Sequence, residues 1–246
     1  VYGTRIFWPI YPDPVGVGSV FIIDPVYSLP LLFVVVWAFF KSDWTQRFGR
    51  WVGGVLAATS AYMLLSVGIQ AYVEQRAEQI FASRGEVPEK IFAIAAPFNI
   101  ALWKVIGLDE DRYQNLYLSL FDGDQEPEIY VHPRHPELVA CVQNSDAYRK
   151  LDWFSRGFNR AEMVDGKVVV SDLRMGLTPG YAFRFAVGEQ TDGGIVPMVP
   201  ERDLSLRRAD SEDFAWLGER LRGRPAIRAA EASEMPALAP PSERSC

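Results

Sequence analysis

The sequence predicts a membrane α-helical segment with two transmembrane helices, followed by a small α+β domain with an antiparallel sheet. The first 73 residues contain two long apolar runs and only four of the 25 basic and three of the 31 acidic side chains. Beyond them the charge density rises, and apolar residues alternate with polar ones at the period of a β-strand. The formal charge of -6 excludes a generic basic nucleic-acid binder, so we expect no nucleic-acid partner.

The first apolar run predicts a helix over about 25–40. Asp24 precedes Pro25, which is typical of an N-cap followed by a proline at the first helical position. About sixteen residues span roughly 24 Å, slightly less than the ~30 Å hydrocarbon core of a bilayer. A second proline, Pro30, is expected to kink the first turns of this helix.

The second run, 51–73, contains no ionisable side chain and predicts a transmembrane helix. The two runs and the residues before them form the predicted membrane region, 1–73. The loop between the helices, 41–50, is dense in Lys and Arg, which favours a cytoplasmic loop and places both flanks outside the cytoplasm.

The segment 74–106 is expected to form interfacial helices. The first would end at Gly85, a residue typical of helix C-caps, and the second would run from about Pro88 to Ile106 with an interruption near Pro97.

Residues 107–222 predict a β-rich soluble domain. Asp165 and Gly166 separate two apolar runs and form a strong short-range signal for a hairpin turn. The alternation over 181–190 predicts a strand whose Tyr/Phe/Val face is covered, for which the amphipathic helix 211–222 is the candidate. The remaining segment, 223–246, is rich in Ala, Pro, Glu and Ser and is predicted to be a disordered tail.

Asp24 is the one acid within an apolar run, and it is therefore a candidate functional residue. A carboxylate at membrane depth is costly unless it is paired, and it can act as a metal ligand or proton carrier. The alternative is that Asp24 only caps the helix by accepting amide hydrogen bonds. The two interpretations differ in whether Asn can replace Asp.

The soluble domain offers two weaker candidate sites. His132 and His135 could bind a metal together with acids on a preceding turn (Asp122, Asp124 and Glu126), provided that 117–121 pairs with 128–132. Acidic turn residues and His-Pro pairs are also ordinary loop chemistry. Arg156, Arg174 and Arg184 could bind an anionic group, or Asp172 could pair with one of the last two arginines. The aromatic set of Trp153, Phe154 and Phe158 favours a core over a binding site.

Several motifs, taken in order, resemble a known family. They are YGTRIFWPIYPDPVGVGSVFIIDPVYSLPLL near the start, then PFNIALWKV, LSLFDG, LDWFSRGFNRAE, VVVSDLRMG and YAFRFAV. Over residues 1–190 they resemble the C-terminal two thirds of the YdjM-like membrane-bound metal-dependent hydrolases, which are multi-pass proteins of the bacterial inner membrane. The resemblance implies a divalent metal cofactor, with ligands on helices that precede the YGT segment and are missing from this chain.

Two functions from different classes are therefore expected. In the first, the missing N-terminal helices would pack against the YGT segment and build a hydrolase site for an ester or phosphoester at the membrane surface. Asp24 and Thr4 are then the candidate catalytic residues, and Asp24 is the candidate metal ligand. In the second, the chain is a non-catalytic envelope protein whose β-rich, extracytoplasmic domain binds a partner or lipid head groups. Membrane lipid is a partner in both.

Overall fold

The computed structural model describes residues 3–5, 7–41, 43–123, 127–203 and 209–235. The helices are α1 (Pro25–Phe39), α2 (Gln46–Ser83), α3 (Pro136–Val139), α4 (Asp146–Ser155), α5 (Ser211–Leu221) and α6 (Ala229–Ala232). The first five strands are β1 (Lys90–Ala95), β2 (Leu102–Leu108), β3 (Arg112–Ser119), β4 (Ile129–Pro133) and β5 (Asn159–Val164). The remaining strands are β6 (Lys167–Asp172), β7 (Gly176–Leu177), β8 (Gly180–Tyr181), β9 (Arg184–Thr191) and β10 (Gly194–Arg202).

Helices α1 and α2 form an antiparallel hairpin. The start of α1 lies beside Tyr62, and its end packs through Trp37 against Phe48, with ring centroids 5.0 Å apart. No residue of α1 is buried, and only 11% of the most apolar window of α2 is buried. Helix α2 is long and apolar enough to cross a membrane, whereas the 15 residues of α1 form a shorter apolar helix.

Helix α2 does not end where the apolar run ends. It continues for three more turns, so the predicted helix 51–73 and the first predicted interfacial helix are one element. In this extension Val73, Ala77 and Phe81 recur every four residues and are buried. This spacing places all three on one face of the helix, which packs onto a sheet.

That sheet is an antiparallel meander in the order β1-β2-β3-β4. Its first two strands occupy 90–108, so the helix predicted from Pro88 to Ile106 is wrong. Both strands are short and mainly apolar, and for such segments periodicity does not separate a buried strand from a buried helix. Asn99 makes the turn between them, because its side-chain oxygen accepts from the amides of Ala101 and Leu102.

Each face of this sheet is covered by a different element. On one face Trp103, Val105, Leu116 and Leu118 pack against the end of α2. On the other face Leu102, Tyr117 and Tyr130 pack against Trp216 of α5. The prediction that helix 211–222 covers the strand at 181–190 is therefore wrong, since α5 lies on the first sheet.

The second sheet has the order β10-β9-β6-β5 and is covered by α3 and α4. The Asp165-Gly166 hairpin is confirmed, with φ of 47° and 75° at the two turn residues. The sequence predicted that only the Tyr/Phe/Val face of the strand at 181–190 would be covered. In β9, however, Arg184 and Ala186 of the opposite face are also buried.

The β-rich domain extends beyond the predicted limits of 107 and 222. It begins with the end of α2 and β1, and it continues through α6, where Arg228 and Glu231 are buried. Residues 223–235 are therefore ordered, contrary to the predicted disordered tail, while 236–246 lie outside the described residues. Of the three aromatic residues expected in a core, Phe158 is buried but Trp153 is 53% exposed.

Candidate functional site

Asp24 lies between the two helices of the hairpin, with only 1% of its surface exposed. Its Oδ1 accepts hydrogen bonds from the amides of Val26 at 2.8 Å and Tyr27 at 3.1 Å. Its Oδ2 accepts from the hydroxyl of Tyr62 at 2.7 Å. Asp24 is thus an N-cap, as predicted, and it also links α1 to α2. Both carboxylate oxygens are engaged by protein donors.

The structure does not bring Thr4 to Asp24. Thr4 pairs with Val15 through two backbone hydrogen bonds of 2.9 and 3.0 Å, and its side chain is exposed. The close approach that Gly3 permits is also toward Val15, because a Cβ at Gly3 would lie 2.6 Å from the Val15 carbonyl carbon. Tyr2 lies outside the described residues.

A row of polar residues on α2 continues from Asp24 toward the β-rich domain. The residues are Tyr62, Ser66, Gln70 and Glu74, four apart. The hydroxyls of Ser66 and Ser19 are 3.1 Å apart. Gln70 Nε2 donates to the carbonyls of Val17 and Ala93, and Glu74 accepts from the amide of Ala93. The row therefore binds the N-terminal segment to one face of α2.

Sequence reasoning missed this row, although the signal was present. Polar residues that recur every four positions lie on one face of a helix. In an apolar run, such a face is expected to contact protein because lipid cannot satisfy its hydrogen bonds.

A second buried polar cluster lies inside the β-rich domain around Glu231. Its carboxylate accepts from the Tyr117 hydroxyl and from Asn115 Nδ2, each at 2.5 Å. His132 Nε2 lies 3.4 Å from the same carboxylate, and Arg228 Nη1 lies 3.5 Å from it. The cluster joins α6 to β3 and β4.

Lys104 lies near this cluster and donates to the carbonyls of Leu173 at 2.9 Å and Gly176 at 3.0 Å. Burial lowers the pKa of Lys104 to about 8, although the negative charge of Glu231 opposes this. Burial would raise the pKa of Glu231, but His132, Lys104 and Tyr117 outweigh it and hold the pKa below its usual value. Lys104, His132 and Glu231 are at most 5% exposed, and their hydrogen bonds tie α6 and the residues after β6 to the first sheet.

The described residues do not bring together the metal ligands predicted near His132. His135 turns away into contact with Glu137, and Asp122 binds Arg220. The pairing of 117–121 with 128–132 is wrong, because 112–116 pairs with 129–133. Asp124 and Glu126 lie outside the described residues. Within the described part of the chain, no group of three or more His, Cys, Asp or Glu could hold a metal ion.

The three arginines that might have gathered for an anion are held apart by other contacts. Arg174 pairs with Asp172 at 2.7 Å, so the partners in the alternative interpretation are confirmed, but the pair is buried and not the solvated cross-strand pair that was expected. Arg184 pairs with Glu162 and Asp203, and Arg156 donates to the Pro14 carbonyl.

No protein-family model matches the chain, and no significant similarity to a curated protein or a solved structure was found. The fold and the resemblance stated above therefore stand without support from relatives.

Proposed function

We propose that this chain is a membrane-anchored protein whose α1–α2 hairpin lies in the bilayer and holds the β-rich domain at the membrane surface. The observation that carries the proposal is the exposure of the hairpin. A long apolar helix in a soluble core would be mostly buried, whereas the apolar window of α2 is 11% buried and α1 has no buried residue. Contiguous exposed apolar surface of this extent is typical of a surface that contacts a membrane.

In this proposal the hairpin also determines which parts of the chain lie on the same side of the bilayer. Because α1 and α2 are antiparallel, the N-terminal segment and the β-rich domain lie on one side of the bilayer and the loop 40–45 lies on the other. The basic residues around that loop favour the cytoplasmic side, so the β-rich domain is extracytoplasmic in a bacterial inner membrane.

Protease sites engineered into the full-length chain test this topology. One site is inserted after Lys41 and the other after Asp192 in the exposed β9–β10 turn. In intact spheroplasts we expect cleavage at the second site only, and in inverted vesicles at the first site only. Cleavage of both sites from the same side would overturn the two-span topology.

The second proposed function is a metal-dependent hydrolase that acts on an ester or phosphoester at the membrane surface. It is supported by the family resemblance and by a buried carboxylate, Asp24, at membrane depth. The described residues do not fit a metal, because Asp24 is saturated by three donors and no acid or histidine cluster accompanies it. We therefore derive no catalytic step from them. In this proposal the ligands come from helices beyond the described residues.

Elemental analysis of the full-length protein tests the second function. Stoichiometric divalent metal in the wild type would support it, and loss of that metal in Asp24→Asn would make Asp24 a ligand. A wild-type protein without stoichiometric metal would refute the hydrolase and leave the anchored domain as the function. Tyr62→Phe is the control, because it removes the hydrogen bond that Tyr62 donates to Asp24 while leaving the carboxylate in place.

A further inference from the structure

A cleft of about 590 Å³ opens between the N-terminal segment 11–16 and the C-terminal end of α4. Neither proposed function uses it. Its walls carry two cations (Lys90 and Arg156), two acids (Asp13 and Asp152) and three aromatic rings (Tyr11, Trp153 and Phe154).

The cleft lies at the height of the lipid headgroups if the hairpin is in the bilayer. The N-terminal segment runs along α2, with Asp24 beside Tyr62, Ser19 beside Ser66 and the Val17 carbonyl bound by Gln70. Gln70 is in the last turn of the uncharged run. Pro14 is three residues further along this segment, roughly 10 Å at ~3.3 Å per residue. The uncharged run ends at Val73, about 4.5 Å beyond Gln70 at ~1.5 Å per residue, so Pro14 lies about 5 Å above the hydrocarbon boundary. This places the cleft in the polar headgroup layer, which is about 5–7 Å thick.

The four charged side chains of the cleft form no ion pairs with one another among the described residues. Arg156 Nη2 donates to the Pro14 carbonyl at 3.0 Å, and Asp152 Oδ1 accepts from Asn159 at 2.9 Å. The cleft therefore offers cationic donors and carboxylate acceptors to one small ligand.

We propose that this cleft binds the zwitterionic headgroup of phosphatidylethanolamine. The phosphate pairs with Arg156 and Lys90, and the primary ammonium donates to Asp13 and Asp152. The guanidinium fork suits a phosphate, and a primary ammonium has N–H donors that the quaternary ammonium of phosphatidylcholine lacks. The carboxylates of Asp13 and Asp152 repel a headgroup that carries only negative charge. The inference rests on the proposed membrane anchoring.

The test uses the full-length protein in a nonionic detergent, titrated with short-chain phospholipids and read by native mass spectrometry. We expect phosphatidylethanolamine to bind at least tenfold more tightly than phosphatidylcholine or phosphatidylglycerol. Arg156→Gln should lose most of this affinity. Arg149→Gln, on the same helix but paired with Asp146 outside the cleft, should keep it. Asp13→Asn should bind phosphatidylglycerol more tightly than the wild type does.

Other outcomes would overturn the proposal. Equal binding of all three lipids, or wild-type affinity in Arg156→Gln with an unchanged thermal melt, would show that the cleft is not the site. Tighter binding of phosphatidylglycerol by the wild type would refute a zwitterion site. Full competition by equimolar free phosphoethanolamine would assign the cleft to the free compound and refute the lipid source. The titration is carried out in detergent, so its result is separate from that of the protease topology experiment.

Discussion

Single residues with buried polar groups connect the parts of this molecule. Asp24 caps α1 and accepts from Tyr62 of α2, so one carboxylate starts one helix and fastens it to the next. Glu231 links the C-terminal segment to β3 by accepting hydrogen bonds from Asn115 and Tyr117. The cap at Asp24 was predictable because its signal is local. The pairing of Glu231 was not, because its partners Asn115 and Tyr117 are more than one hundred residues away.

Substitutions at Asp24 are expected to separate the capping role from any role of the charge. An amide oxygen caps about as well as a carboxylate, so Asp24→Asn should retain the stability of the hairpin. Asp24→Ala should lower the free energy of unfolding by ~1–2 kcal/mol, because two amides and the Tyr62 hydroxyl lose an acceptor. Thermal denaturation of both variants in detergent measures this difference. An Asn variant as unstable as the Ala variant would show that the charge itself stabilises the hairpin.

Lys104 is expected to make stability depend on pH in the alkaline range. Its pKa is about 8 in the folded protein and about 10.5 when it is not perturbed, so between these values the unfolded chain binds more protons. Stability should therefore rise with pH from about 8, by at most ~3 kcal/mol. Above about pH 10 it should fall again, because burial raises the pKa of Tyr117 and Tyr181 in the folded state.

Urea denaturation of wild type and Lys104→Met at several pH values from 7 to 10 measures this effect. The variant leaves the carbonyls of Leu173 and Gly176 without a donor, so its overall stability should be lower. The shape of the curve is the informative quantity, since only the wild type should gain stability above pH 8. Parallel curves would contradict the assignment.

At the level of elements, α2 is the one that sequence patterns describe least well. Its apolar run predicted a helix, but the run does not show that the helix continues into the fold of the next domain. The strands at 90–108 were missed for a related reason. Their buried residues come from both faces of the sheet, and what covers each face, α2 or α5, is decided by distant parts of the chain. By contrast, the Asp165-Gly166 hairpin depends on two adjacent residues and was predicted.

The face of α2 that covers the first sheet is expected to tolerate no charge. Ala77 is fully buried among Trp103 and its neighbours, so Ala77→Asp would place a carboxylate in an apolar core without a partner. We expect a loss of at least ~3 kcal/mol in the stability of the β-rich domain. Gln75→Asp, which is exposed on the same turn, should change stability by less than ~0.5 kcal/mol. Near-ultraviolet circular dichroism through a denaturant titration measures both, and equal behaviour of the two variants would contradict this packing.

At the level of the whole molecule, the boundary between the apolar hairpin and the β-rich domain does not coincide with the change in composition. The β-rich domain takes its first covering helix from the residues that follow the apolar run directly. It takes part of its polar core from 228–231, beyond the helix at 211–222. If the chain is divided where its composition changes, residues that belong to the β-rich domain are therefore cut from both of its ends.

Two fragments test this boundary. A fragment of residues 107–222 lacks the end of α2, β1, nearly all of β2 and the segment around Glu231, so it should give no cooperative melt. A fragment of residues 70–235 keeps them and should unfold in a single sigmoidal transition. Thermal melts followed by circular dichroism provide the comparison. A cooperative melt of the shorter fragment would show that the end of α2 and the segment around Glu231 are dispensable.

If the hairpin lies in the bilayer as proposed, the unbroken course of α2 connects it rigidly to the β-rich domain. A transmembrane helix whose apolar length exceeds the bilayer thickness tilts to shorten its span. In a protein with a flexible linker, the domain above the membrane would be indifferent to that tilt. Here the last turns of the helix are packed into the first sheet, so any inclination in the bilayer becomes an equal rotation of the sheet against the membrane plane. The orientation of the β-rich domain would then report the local thickness of the bilayer.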